Sequence, residues 1–195
     1  MLKKDRGEPY ALHELAILLL NYTSDLGISN QDTAERVLSI YNEWIARYGE
    51  VGSILTLRAR AMALLPRYSN DEIMAVYYQA VWVSTDELHQ VLYRLALFRA
   101  HRLEQYHEAI GDLDHAAKHT SIPERRACIA FTKGYMYIHL QDLPKALQCY
   151  EEAWFWQPES KQIQAGLAYV RSVLAKGVSS GAVPPMECRC MRLKN

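Results

Sequence analysis

The stretch AFTKGYMYIHLQDLPKALQCYEEAWFWQP, residues 130–158, decides the fold. It reads as two helices around a short polar break. The second helix carries Ala146, Tyr150 and Ala153 at spacing i, i+4, i+7, which places all three on one face, and Pro158 stops it. The same stripe stands upstream at Val37, Tyr41 and Trp44, at Ile73, Tyr77 and Ala80, and at Ala109, Leu113 and Ala116, with first members 36, 36 and 37 residues apart. A constant period of this size marks stacked helix pairs, each of which buries its apolar face only against its neighbours.

Working outward, helical periodicity predicts helices near 8–26, 31–48, 52–66, 70–83, 85–103, 105–119, 122–140, 143–156 and 160–176, and no strand. That makes four antiparallel pairs and one further helix. Ser69 with Glu72, Ser84 with Glu87 and Ser121 with Glu124 have the spacing of capping boxes and predict three helix starts. The last helix aligns Ile163, Leu167, Val170 and Leu174 before Gly177, as expected of a cap on the open end of an array.

The pattern Ala130-x-x-Lys133-Gly134-x-x-Tyr137, followed by Ala146, Tyr150, Ala153 and Pro158, resembles a tetratricopeptide repeat, W-x-x-L-G-x-x-Y, A-x-x-x-F and P. Ala130 replaces the Trp and Lys133 the Leu. The preceding unit keeps Tyr93, Ala96, Ala100, Ala109, Leu113 and Ala116 but has Leu97 where the family prefers Gly, and the one before keeps Leu57, Ala61, Leu64, Ile73, Tyr77 and Ala80. The first retains little beyond its stripe. The period exceeds the family's roughly 34 residues, so turns are lengthened, and a Sel1-like repeat stays open although its Gly-rich turn is absent. The resemblance implies an all-α fold, a right-handed α-α superhelix of about four helix pairs plus a C-terminal capping helix. It would occupy residues 1–177, with 178–195 as a flexible tail.

In the family the first helix of each pair lines a concave face that holds peptides or partner helices. By motif position the resemblance implies Arg58, Met62, Arg94, Phe98, Arg102, Phe131, Tyr135 and His139 on that face. Aromatic rings among fixed positive charges suit a protein or peptide with apolar and acidic residues. The same side chains also suit packing between repeats. The Lys and Asn set that clamps a chaperone's C-terminal carboxylate in some family members is missing. Trp154, Phe155 and Trp156 cannot all face one core, so Trp154 and Trp156 are expected at a docking surface or a homodimer contact.

Lys plus Arg and Asp plus Glu both number 22, which leaves no bulk attraction to nucleic acid or anionic membrane. The apolar run Leu15 to Leu20 follows His13 and Glu14 without a small-residue cleavage site, and no stretch approaches the roughly 20 residues that span a bilayer. Four scattered cysteines, with Cys128 and Cys149 inside predicted helices, are expected to be reduced, and the protein to be cytoplasmic. Asp112, His115 and His119 share a helix face but lack a fourth ligand, and Met186, Cys188, Cys190 and Met191 are soft ligands in the tail, so neither a metal nor a cofactor is expected.

No phosphate-cradling Gly loop, G-x-S-x-G turn or H-E-x-x-H run is present, and His107-Glu108 lacks its second His. The expected function is therefore non-catalytic: an adaptor, assembly factor or dedicated chaperone. In plan, though not in motifs, the chain is similar to class II chaperones of bacterial type III secretion, which have three pairs. A regulatory domain sensing a peptide or small effector is the alternative. An enzyme would show itself by His101, His139 and a carboxylate gathered in a cavity.

Overall fold

The computed structural model describes residues 30–176. Its elements are α1 (Asn30–Tyr48), α2 (Gly52–Met62), α3 (Asn70–Val83), α4 (Leu88–Phe98), a π-helical turn (Arg99–Leu103), α5 (Tyr106–Lys118), α6 (Pro123–His139), α7 (Leu143–Trp156) and α8 (Lys161–Lys176). Among the described residues there is no strand, and the fold is all-α. No helix among them is long and apolar enough to cross a membrane. The helix expected at 8–26 and the tail expected at 178–195 lie outside the described residues. The periodic stripes are the interior: of the twelve positions, only Trp44 is less than fully buried.

The chain divides into two compact units between Val91 and Leu92. In the first, α1 packs on α2 and α2 on α3, around Val37, Tyr41, Leu55 and Ile73. Arg67, just beyond α2, makes a two-pronged ion pair with Glu35 of α1, its Nη2 lying 2.8 Å from Oε2. Helix α3 starts on a complete capping box: the Ser69 hydroxyl accepts from the Glu72 N–H at 3.2 Å, and the Ser69 N–H donates to the Glu72 carboxylate at 2.8 Å. Ser69→Ala deletes the acceptor for that orphan N–H and is expected to cost about 1 kcal/mol, read as a lower urea midpoint at constant slope.

The other two expected caps are corrected. Ser84 ends α3, donating its hydroxyl to the Ala80 carbonyl at 2.7 Å, and α4 begins only at Leu88. At α6 the cap position is Ile122, and Thr120 rather than Ser121 offers the hydroxyl, to the Ile122 N–H at 3.3 Å. Pro123 is the first residue of that helix, where its missing N–H is harmless.

In the second unit α5 packs on the π-helical turn and on α6, α6 on α7, and α7 on α8. Tyr93 on α4 reaches α6 directly, its Oη 2.9 Å from Thr132 Oγ1. Residues 140–142 are all that separate α6 from α7, so the two run antiparallel, and Gln141 makes the turn with φ of 58°. The closeness of α6, α7 and α8 centres on Tyr150. A Cβ built on Gly134 of α6 would stand 2.9 Å from the Tyr150 ring, and one on Gly166 of α8 would stand 2.6 Å from it. Phe131 meets the same ring edge-on, with centroids 5.3 Å apart.

Lys133, where the chain departs from the tetratricopeptide pattern, has an electrostatic role. Its Nζ lies 2.6 Å from Asp114 of α5, so the position ties α6 to α5 by charge where a Leu would do so by burial. Cys149 is a free, buried thiol whose pKa burial pushes up to about 11. Cys128, on α6, is buried as well.

Candidate functional site

Two departures from regular helix fall within residues 99–106. An α-helix passes into a π-turn, the turn ends at Glu104 with φ of 55°, and α5 begins at Tyr106. A π-turn inserts a residue and rotates the chain beyond it, and a left-handed non-glycine residue is strained; both features concentrate at functional sites. The strained backbone is held by a 3.1 Å hydrogen bond from the Gln105 N–H to the Arg99 carbonyl and by an ion pair from Arg99 Nη1 to Asp112 Oδ2 of α5 at 2.8 Å. Ala100 is buried, while His101 and Arg102 stay at the surface.

Opposite this turn, the last turns of α6 present Tyr135 and His139 at i, i+4. Tyr106 stacks flat on His139, with centroids 4.9 Å apart and planes 8° from parallel, and its Oη lies 3.4 Å from His139 Nδ1. Tyr135 meets His139 edge-on at 4.5 Å, and His101 lies on the other side of the cluster at 6.4 Å from Tyr135. Four rings from three elements thus share one half-exposed surface. Burial lowers the pKa of His101, assisted by the charge of His139. Burial also lowers that of His139, opposed by Glu104. Burial raises Tyr106 and Tyr135. At neutral pH the cluster is therefore uncharged on its rings.

Of the residues expected to line a binding face, Tyr135, His139 and Arg102 are in this surface or on the turn that builds it. Arg94 is half-buried on α4. Phe98 and Phe131 are corrected: both are buried, Phe131 in the core around Tyr150. Arg58 and Met62 belong to the first unit, where Arg58 is half-buried and Met62 is buried, so Met62 also packs the interior. His101 and Tyr106 complete the surface although motif position selects neither.

The aromatic run on α7 sorts differently from expectation. Trp156 packs against the core of the second unit with the Arg126 guanidinium 5.3 Å from its ring, so it is a sealed edge. Trp154 is exposed, and Phe155 more so at 73%. In the first unit Trp82 is 89% exposed, with Tyr78 one turn before it. Nine residues separate Trp82 from Ile73, about 180° around the helix, so the outward direction is legible in the sequence. Asp112 turns to Arg99 rather than towards His115 and His119, whose rings touch at 4.8 Å. Among the described residues no three His, Cys, Asp or Glu side chains are grouped to hold a metal.

The Arg99–Asp112 pair carries a pH signature. Burial, against the pull of Arg99, pushes the Asp112 carboxyl up to about 6. The folded state then holds this proton more tightly than the unfolded chain, so stability falls as pH rises from about 4 through about 6 and stays constant above. Asp112→Asn is expected to remove that component of the slope, measured by urea titration at several pH values.

No family model, curated protein or solved structure matches this chain.

Proposed function

We propose that the chain is a non-catalytic binding module, a tetratricopeptide-like array of helix pairs in the cytoplasm that holds a partner polypeptide as adaptor, assembly factor or dedicated chaperone. The observation that carries this reading is the surface of Tyr135, His139, Tyr106 and His101, beside which Arg102 is exposed. Large rings held in fixed positions bind with little further loss of conformational freedom, and Arg adds a fork for carboxylates. Two features support the array. The most extensive packing within each unit is between consecutive elements, and the inward stripes recur with the repeat period.

His139 comes within electrostatic reach of His101 and of Glu104, the residue types that the enzymatic alternative would gather. The binding reading accounts better for the rings, because Tyr106 covers one face of His139 and Tyr135 meets its edge. The test is selection from a phage-displayed random dodecamer library on the full chain. Enriched peptides should carry aromatic and acidic residues, and Tyr135→Ala should weaken a selected peptide at least about tenfold, or about 1.4 kcal/mol. No enrichment, or equal binding by the variant, would overturn the reading.

A further inference from the structure

Tyr135 on α6 is approached by two imidazoles from two elements: His139 from its own helix, and His101 from the π-helical turn. We propose that this arrangement is a proton-operated latch: neutral imidazoles keep His101 of the turn beside Tyr135 of α6, and charging both parts the turn from the helix and takes the His101 ring out of the surface. The latch rests on the binding reading only for what it controls, which is release of the held polypeptide on acidification.

Among the described residues the groups around the pair are few. From α6 comes Tyr135, from the start of α5 comes Tyr106, and from the connection between the turn and α5 comes Glu104. On the turn itself stand Arg99 and Arg102, and Arg99 pairs with Asp112, which has Glu108 beside it. One imidazolium is accommodated here, because the neighbouring rings and the Glu104 carboxylate favour a single cation. Among the described residues a second has no such counterpart: Asp112 is engaged by Arg99, and both histidines lean on the same phenol ring. Like charges that act on one another titrate as a coupled pair.

Both histidines are held below the ordinary imidazole range, chiefly by burial. Below about pH 6.5 an opened turn therefore takes up more protons than a docked one, so acidification favours opening. The turn is also a place where opening is local, since only five residues and one strained connection have to move.

The experiment uses the tag-free full chain, isotopically labelled, with the imidazole and backbone amide NMR signals tracked from about pH 8 to pH 4.5. The expected result is two coupled imidazole midpoints below about 6.5, with the amides of residues 99–106 moving with the lower one. His139→Gln should raise the midpoint of His101, and Glu104→Gln should lower that of His139. Independent titrations that neither substitution moves, or amides in 99–106 that do not respond, would overturn the latch. A fluorescein-labelled peptide from the library selection gives the second readout. It should bind wild type at least about tenfold more weakly at pH 5 than at pH 7.5, a ratio that flattens to within about twofold in the His101→Gln/His139→Gln double variant, whatever its level at pH 7.5. An unchanged wild-type ratio removes the control function. An empty selection overturns the binding reading instead, and the NMR signals still decide the latch.

Discussion

Tyr150→Ala is expected to lower the unfolding free energy by about 3–5 kcal/mol, the largest effect of any single substitution in the second unit. The ring is 1% exposed and fills the space where α6, α7 and α8 meet. Its Cδ2–Cε2 edge lies against Gly134 and its Cδ1–Cε1 edge against Gly166, while Phe131 stands at 78° to the ring. Truncation therefore leaves a void with glycine on two walls, which have no side chains that could swing in to fill it. Collapse is restricted, and the cavity term adds to the lost transfer energy. Tyr150→Phe keeps the ring and is expected to lose far less. Urea unfolding at constant slope measures both, and a loss under about 1 kcal/mol for the Ala variant would show that the three helices do not close on this ring.

The same ring explains why the fold was legible. Gly134, Ala146, Tyr150 and Ala153 form the pattern that identifies the pair α6 and α7 from sequence, and those are the residues that let the two helices approach. Depth was less legible. Motif position gives the direction in which Phe98 and Phe131 point, but not how much chain lies beyond them, and both prove to be interior. Helix ends misled where a hydroxyl had competing partners, as at Ser84, which donates back to the Ala80 carbonyl instead of accepting from a forward N–H as a cap. Half of the ring surface was in reach: Tyr135 and His139 are given by α6 alone. Tyr106 was not, and His101 was singled out only for the enzymatic alternative, because a π-turn has no sequence signature of its own and re-aims every side chain after Phe98.

The second large effect is expected in the first unit, at the start of α2. A Cβ on Gly52 would stand 1.7 Å from Ser84 Oγ and 3.0 Å from both Ser84 Cβ and the Ala80 carbonyl oxygen. Neither neighbour yields easily. The Ser84 hydroxyl donates to Ala80 at 2.7 Å, and the Ala80 carbonyl belongs to the last turns of α3. Gly52 is itself held, since its carbonyl accepts from Thr56 Oγ1 at 2.8 Å. Gly52→Val thus forces α2 and α3 apart at a point of close approach, and is expected to cost at least about 1–3 kcal/mol from overpacking. A double-mutant cycle separates this clash from a general intolerance of side chains at position 52. Gly52→Ala combined with Ser84→Gly should be less destabilising than the sum of the two single changes by more than about 0.5 kcal/mol, because the second substitution removes the atoms that the first one meets. Strict additivity would mean that the two residues do not meet, and that α2 and α3 are spaced by something other than this contact.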